Sequence, residues 1–435
     1  MPPKGGKEKT KKADLGPSLE ERYAKVRSAF NSGCRSLGVS PQGHCQEQLA
    51  ACYAEGSSKL ILSEVVELPI FRALFDALLV DDLVNQLCFW RAGLGDEGAV
   101  YLGAFLSKRC ITHLDLLDNN IGVKGAAALA QVMEKGRKVQ TLVLDHNPLT
   151  EVGIRVMCGA MRANFDLKSL SLMYCRIGPA GGKIIADTLI ANSRVAELQL
   201  KGNQLEGEGI LAISQALRRN KFLESLDLSD NCLRDMYGNE EKKRKEKEKT
   251  DKEGTSSSPS TPSAMSTNGA SSPRSESEMS RSALNTAETG VDGDVDSLRD
   301  STSAPSNVLA IDGNMVTIGA SNDALAEGTV KALLTEDSNG VASSPLKKDT
   351  VAMLSIAVML KHNTTLKKLN LSFNLIGHKS AQILKDTITS AKATSNLAEF
   401  IVTERLDSKL FQDLVKFESA KKGKKGAGGK KKKKK

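Results

Sequence analysis

Two spacings run through the apolar positions of this chain at once. Leu114, Leu142, Leu170, Leu198 and Leu226 stand 28 residues apart, and Leu116, Leu144, Leu172, Leu200 and Leu228 follow each of them two positions later. Apolar residues at i and i+2 describe a short strand with one buried face. Five residues after the first set come Asn119, Asn147, Cys175, Asn203 and Asn231, and two further on Ile121, Leu149, Ile177, Leu205 and Leu233. An asparagine there suits a tight turn, because its side chain bonds backbone groups that the turn leaves open.

The second half of each unit reads as a helix. Gly125, Gly153, Gly181 and Gly209 share one phase, where the chain passes close to its neighbour. Apolar pairs four apart follow: Leu129 and Met133, Met157 and Met161, Ile185 and Leu189, Ile213 and Leu217. Three residues later stand Gly136, Asn164, Asn192 or Asn220, residue types that tolerate the left-handed conformation of a helix end. An earlier unit, Val84 to Cys110, fits one residue short, and "SKLILSEVVELPIFRALFDALL" before it reads as a degenerate unit. "SLEERYAKVRSAFNSGCRSLGV" and "CQEQLAACYAEG" predict two helices that cap the N-terminal end, where a stack of repeats would otherwise leave an apolar face open to water.

The pattern stops at Asp235 and returns at "TVAMLSIAVMLKHN". Counted back from Leu366, Leu360 and Ile356 take the helix phase of Met133 and Leu129, Ala352 takes the Gly125 position and Asn363 the cap. The intervening stretch is therefore an insertion in the strand-to-helix loop of one unit. The chain divides into a disordered basic tail (1–18), a helical cap with a degenerate repeat (19–83), repeats (84–235), a Ser- and charge-rich insertion expected to be disordered (236–349), repeats resumed (350–390), a C-terminal cap (391–418) and a Lys-rich disordered tail (419–435). Inside the insertion, "EEKKRKEKEKTDKE" reads equally as a single helix or a solvated run, and "VLAIDGNMVTIG" carries a hairpin signal. Ser258, Thr261, Ser272 and Ser344 each precede a proline and are phosphorylation candidates.

Composition sharpens this picture in two places. Five lysines against one glutamate in the first thirteen residues, and ten lysines with no acid in the last fifteen, more than account for the net charge of +9. The ends are basic and the stretch between them is net acidic. The eight cysteines show no CxxC pair and the five histidines are scattered, which argues against a zinc site and for reduced thiols in an intracellular protein. No signal peptide is expected from "MPPKGGKEKTKK", and no apolar run is long enough for a transmembrane segment.

The LxLxxN/CxL pattern is the leucine-rich-repeat signature. With "NxIGxxGAxxLAxxL" and a 28-residue unit, the chain resembles the ribonuclease-inhibitor subclass, best in "LDLLDNNIGVKGAAALAQVM" and "LQLKGNQLEGEGILAISQAL". The resemblance covers roughly Leu60 to Ile388 apart from the insertion. It implies an α/β solenoid, a horseshoe with a parallel concave sheet and outer helices. Members of the class include ribonuclease inhibitor, Ran GTPase activators, NOD-like receptors and ciliary and nuclear scaffolds. The Ran activators carry an acidic segment after their repeats, where this chain ends in lysines. Its Lys/Gly ends also resemble those of flagellar and ciliary proteins.

No catalytic machinery is visible: there is no GxxxxGK[ST] and no HExxH, and no catalytic, cofactor or metal residue is predicted. What remains is a binding surface. The positions just after the second strand leucine form one row (Trp90, Leu117, Asp145, Met173, Lys201, Ser229, Ser372), and the next positions a second (Arg91, Asp118, His146, Tyr174, Gly202, Asp230, Phe373). From these rows Trp90, Arg91, Leu117, His146, Met173 and Tyr174 are the candidate protein contacts, since Trp, Tyr and Arg dominate binding hot spots. The lysine tails are a second candidate surface, for a polyanion such as acidic tubulin tails or nucleic acid. The expectation is a non-catalytic scaffold of the cytoplasm, cytoskeleton or cilium. The alternatives are a nuclear scaffold under proline-directed phosphorylation and a small-GTPase regulator.

Overall fold

A computed structural model of the chain describes residues 16–135, 138–192, 194–237, 347–390, 396–403, 406 and 408–414. The lysine runs, the hairpin signal, the mixed-charge run, Gly136 and the four Ser/Thr-Pro sites lie outside these residues.

The chain opens with α1 (Leu19–Ser36) and α2 (Gly43–Ala54) and then alternates strand and helix: β1 (Lys59–Leu62), α3 (Leu68–Leu78), β2 (Gln86–Phe89), α4 (Gly95–Leu106), β3 (His113–Asp115), α5 (Val123–Glu134), β4 (Thr141–Val143), α6 (Thr150–Ala163), β5 (Ser169–Ser171), α7 (Gly178–Ala191), β6 (Glu197–Gln199), α8 (Glu206–Leu217) and β7 (Ser225–Asp227). It continues with α9 (Lys348–His362), β8 (Lys368–Asn370), α10 (His378–Ser390) and β9 (Glu399–Ile401), and residues 408–414 are helical. The nine strands form one parallel sheet in chain order. Right-handed crossovers in a sheet of that order put every connecting helix on the same face. The register is unbroken: Leu60, Leu87, Leu114, Leu142, Leu170, Leu198, Leu226, Leu369 and Phe400 pair in one line, all buried.

α1 starts on a capping box of Ser18 and Glu21. It is tied to the first repeats by Arg22, which donates to Asp81 at 2.6 Å, while the buried Tyr53 of α2 donates to the same carboxylate at 2.7 Å. The Arg22 and Tyr53 bonds, with the Leu83 amide, hold the Asp81 carboxyl below its ordinary range against the opposing effect of burial.

The turns after β3, β4, β6, β7 and β8 are each held by a buried asparagine. Asn147 accepts from the Asn119 and Ile121 amides of the unit before it and donates to Leu116 O at 2.8 Å. Asn203 and Asn231 repeat this, and Cys175 substitutes by donating its thiol to Leu144 O at 3.2 Å. A second ladder runs along the helix ends. Asn164, Asn192, Asn220 and Asn363 each donate to a carbonyl at the end of the preceding helix and accept the amides two and three residues on. The left-handed cap expected at these residues is corrected here: Asn164, Asn192 and Asn363 have φ near −85° and extended ψ. The side chain, rather than an unusual backbone, closes the helix.

The two ladders run straight across the insertion. Asn374 accepts from the Asn231 and Leu233 amides, and Asn363 donates to Leu217 O at 2.6 Å. Asn220 lies 28 residues beyond Asn192, whereas Asn363 lies 143 beyond Asn220, and the contacts match. The chain leaves at Asp235 and returns at Thr350, whose hydroxyl donates to the Asp235 carboxylate at 2.8 Å. That fully buried carboxylate also accepts the Tyr237 and Gly377 amides at 3.0 Å. Asp96, at the same phase in an earlier unit, likewise accepts the amides of Gly122 and Gly125. Met236, Tyr237 and residues 347–349, which the sequence assigns to the insertion, are built against the solenoid. Tyr237 O accepts from Lys379 N, and its backbone crosses Gly377 so closely that a Cβ there would lie 2.4 Å from Tyr237 N.

This closure carries a prediction. Replacing residues 240–345 by a short Gly/Ser linker should leave the melting temperature unchanged or a few degrees higher, because each halving of a loop relieves about 0.6 kcal/mol of closure entropy. A fall of more than about 5 °C, the scale of roughly 1 kcal/mol or more, would mean that the removed segment packs on the solenoid.

Candidate functional site

The helix-free face of the sheet carries the two rows of candidate residues, and the backbone explains how they are displayed. Arg91, Asp118, His146, Tyr174, Gly202, Asp230 and Phe373 all have positive φ, between 54° and 71°. Each of Arg91, Asp118, His146, Tyr174, Gly202 and Asp230 donates its amide to a carbonyl of the following unit. The left-handed residue therefore extends the ladder by one bond while turning the chain out of the strand. For Arg, His, Tyr and Phe this conformation is disfavoured by about 1–2 kcal/mol each. Closure of the turn offsets that cost, by the adjacent Asn147 and Asn374 after His146 and Phe373, and by the next unit's Asn119 and Asn203, which accept the Ala92 and Cys175 amides after Arg91 and Tyr174.

The row brings side chains of successive units into contact. The His146 and Tyr174 rings stack with centroids 4.7 Å apart. Tyr174 lies across Gly202, where a Cβ would come within 2.2 Å of the ring, and its hydroxyl donates to Asp230 at 3.2 Å. Lys201 places its ammonium 5.7 Å from the Tyr174 centroid and 5.5 Å from that of Phe373, which is 68% exposed. Lys201, Asp230 and Phe373 belong to the two rows but lie outside the six candidate contacts. The signal for them is that the residues of one row touch across Gly202, which a glycine at that phase hints at.

The other candidates form a separate group. Trp90 is half-buried: its indole donates to Asp115 at 2.8 Å and the Lys59 ammonium stands 5.7 Å from its ring centroid. Leu117 beside it is half-buried, with its amide on the other Asp115 oxygen. Arg91 is exposed and pairs with Asp118 at 3.1 Å. Between the groups lies Asp145, buried and accepting from Ser171 at 2.6 Å and the Met173 amide at 2.8 Å. Burial pushes its carboxyl above the ordinary range, and those two bonds oppose the shift. Met173 is half-buried and anchored through this amide. Cys88, His113 and Asp115 bring one ligand atom each within 4.8 Å of one another, a grouping that spacing along the chain did not reveal because it forms across two strands.

A family model described as leucine-rich repeat matches residues 107–130, 163–186, 192–214, 219–235 and 362–382. Porcine (Sus scrofa) ribonuclease inhibitor is 28% identical over 200 residues, covering 43% of this chain and 44% of that protein. The mouse (Mus musculus) NACHT, LRR and PYD domains-containing protein 4C is 25% identical over 177 residues, covering 32% of this chain and 18% of its own length. The chain thus spans less than half of these curated relatives. Among solved structures, the actin-binding site 2 of leiomodin-1 is 16% identical over 37% of this chain and 97% of its own, with a TM-score of 0.29, too slight a likeness to argue from. Among the described residues no helix is long and apolar enough to cross a membrane.

The half-buried setting of Trp90 sets its energetic weight. Trp90→Ala should lower stability by about 1–2 kcal/mol in urea titration, below the roughly 3–5 kcal/mol of a fully buried aromatic. As the only Trp, it should show emission that acrylamide quenches in part. A loss near 4 kcal/mol with unquenchable emission would instead place the indole in the core.

Proposed function

Since the chain is a leucine-rich-repeat protein of the ribonuclease-inhibitor type, we propose that it is a non-catalytic scaffold that binds a protein on the helix-free face of its sheet and a polyanion through its lysine-rich ends. The observation that carries the reading is the run His146, Tyr174, Lys201, Phe373. It joins stacked rings, an ammonium between two aromatic faces, and an exposed phenyl group on a rigid parallel sheet. Rigid aromatic and cationic side chains bind at small entropic loss, which is what a hot spot requires. The Asp230 carboxylate, which accepts from the Tyr174 hydroxyl, borders the run and favours a partner segment with a basic group. Trp90, Arg91, Leu117 and Met173 extend the same face toward the first repeats.

The setting we propose is cytoplasmic and cytoskeletal or ciliary, with acidic tubulin tails as the polyanion. The concentration of lysine at the two ends also supports a second reading, a nuclear scaffold. Imaging of the tagged full-length protein separates the two: microtubule or ciliary signal supports the first, nuclear signal the second.

Two measurements test the division of labour between face and tails. Tyr174→Ala with Phe373→Ala should reduce affinity for a purified partner at least tenfold, about 1.4 kcal/mol, and leave binding to microtubules unchanged. Unaltered partner affinity in this variant would remove the face from the proposal. Deleting Lys421 to Lys435 should weaken sedimentation with microtubules at low salt and flatten its salt dependence, since fewer counterions are released. Equal sedimentation of the full-length and truncated chains would contradict the role of the tail.

A further inference from the structure

The face that carries Trp90 also holds a mixed donor set near the start of the sheet. In the parallel pairing of β2 with β3, Cys88 stands opposite Asp115. His113 precedes Asp115 by two residues, so it projects from the same side of the strand. The Cys88 sulfur, a His113 ring nitrogen and an Asp115 oxygen lie within 4.8 Å of one another. Sulfur, imidazole nitrogen and carboxylate oxygen together are a zinc-type donor set, and three protein ligands leave a fourth position open. An ion with ligands at about 2.0–2.3 Å holds tetrahedral donors about 3.3–3.8 Å apart, which small side-chain rotations on two fixed strands reach.

Two further features fit a ligand site. Asp115 is oriented from outside the set: the Trp90 indole donates to one oxygen at 2.8 Å and the Leu117 amide to the other at 3.2 Å. Such outer partners fix a carboxylate ligand. Among the described residues the His113 ring nitrogens hold no hydrogen bond, although the ring is half-buried. The group that now balances the site is Lys59. Its ammonium lies 5.7 Å from the Trp90 ring centroid, and its charge opposes the upward push that burial gives the Cys88 thiol. Lys59 is a long side chain on the edge strand β1 and half-buried, so an incoming divalent ion can displace it toward solvent.

We propose that Cys88, His113 and Asp115 form a binding site for a zinc-class divalent ion, with Lys59 as the cation that it displaces and Trp90 as the residue that positions Asp115. The ion would tie β2 to β3, and its fourth position would face the open side of the sheet for water or a donor group of a bound protein.

The test uses the full-length reduced protein, freed of metal by chelator and titrated with Zn²⁺ and Co²⁺. One equivalent should bind at submicromolar concentration, shift the Trp90 emission, and give a thiolate-to-Co²⁺ charge-transfer band. Cys88→Ser should abolish that band and weaken Zn²⁺ affinity at least 100-fold, while Cys110→Ser, at an exposed thiol elsewhere, should change neither. Lys59→Met should tighten binding severalfold, and Trp90→Phe should weaken it about tenfold, the loss typical of an outer-sphere partner. If Cys88→Ser fails to fold, His113→Gln decides, and an affinity within threefold of the original overturns the site. Absence of stoichiometric binding, an unchanged band in Cys88→Ser, or weaker binding by Lys59→Met would each overturn it too.

Discussion

The strands β3 to β8 are each followed by a turn that carries its backbone amides and carbonyls into the core, where the sheet ladder alone does not pair them all. A buried amide or carbonyl without a hydrogen bond costs about 1–3 kcal/mol, so a stack of such turns is possible only if something polar is buried with them. The asparagine side chain meets the need because one amide group donates and accepts at once. Asn147, Asn203, Asn231 and Asn374 each do both, toward the unit before and toward their own. The ladder requires that each asparagine return to the same place beside the preceding unit, which the 28-residue units, the shorter unit before Asn119 and the unit interrupted after Asp235 all achieve.

The same constraint explains how a long segment enters the solenoid without disturbing it. The ladder depends on where the chain re-enters rather than on how far it travels between. Asp235 and Thr350 occupy the same position of the repeat and meet side chain to side chain. The Asp235 carboxylate then serves the Gly377 amide of the next unit, as Asp96 serves Gly122. The loop between strand and helix is where a repeat accepts length, because neither ladder runs through it.

Most of the fold could be read from the chain. Leucines two apart fixed the strand faces, the asparagines fixed the period, and counting back from Leu366 placed α9 in phase. What could not be read depends on contacts between units. The helix-end asparagines were matched to a left-handed cap because residue type permits one, but their side chains reach the previous helix and the backbone stays extended. Tyr174 and Phe373 are left-handed although nothing about their types suggests it, since the turn that Cys175 and Asn374 close imposes it. The binding rows were legible as rows. Which members touch was not, because stacking of His146 on Tyr174 and the reach of Tyr174 to Asp230 cross one and two units. Cys88, His113 and Asp115 were invisible for the same reason: their proximity is set by strand register, and a search for close cysteine pairs along the chain passes over it.

A rigid sheet with one face free of helices is what gives aromatic and charged side chains a fixed geometry, so the functional reading depends on the solenoid being one body across the insertion. Native-state hydrogen exchange in increasing denaturant measures this directly. The amides of β7 and β8, paired at Leu226 and Leu369, should open with one free energy and one denaturant dependence. Separate isotherms for residues before Asp235 and after Thr350 would show two bodies, and would contradict the account.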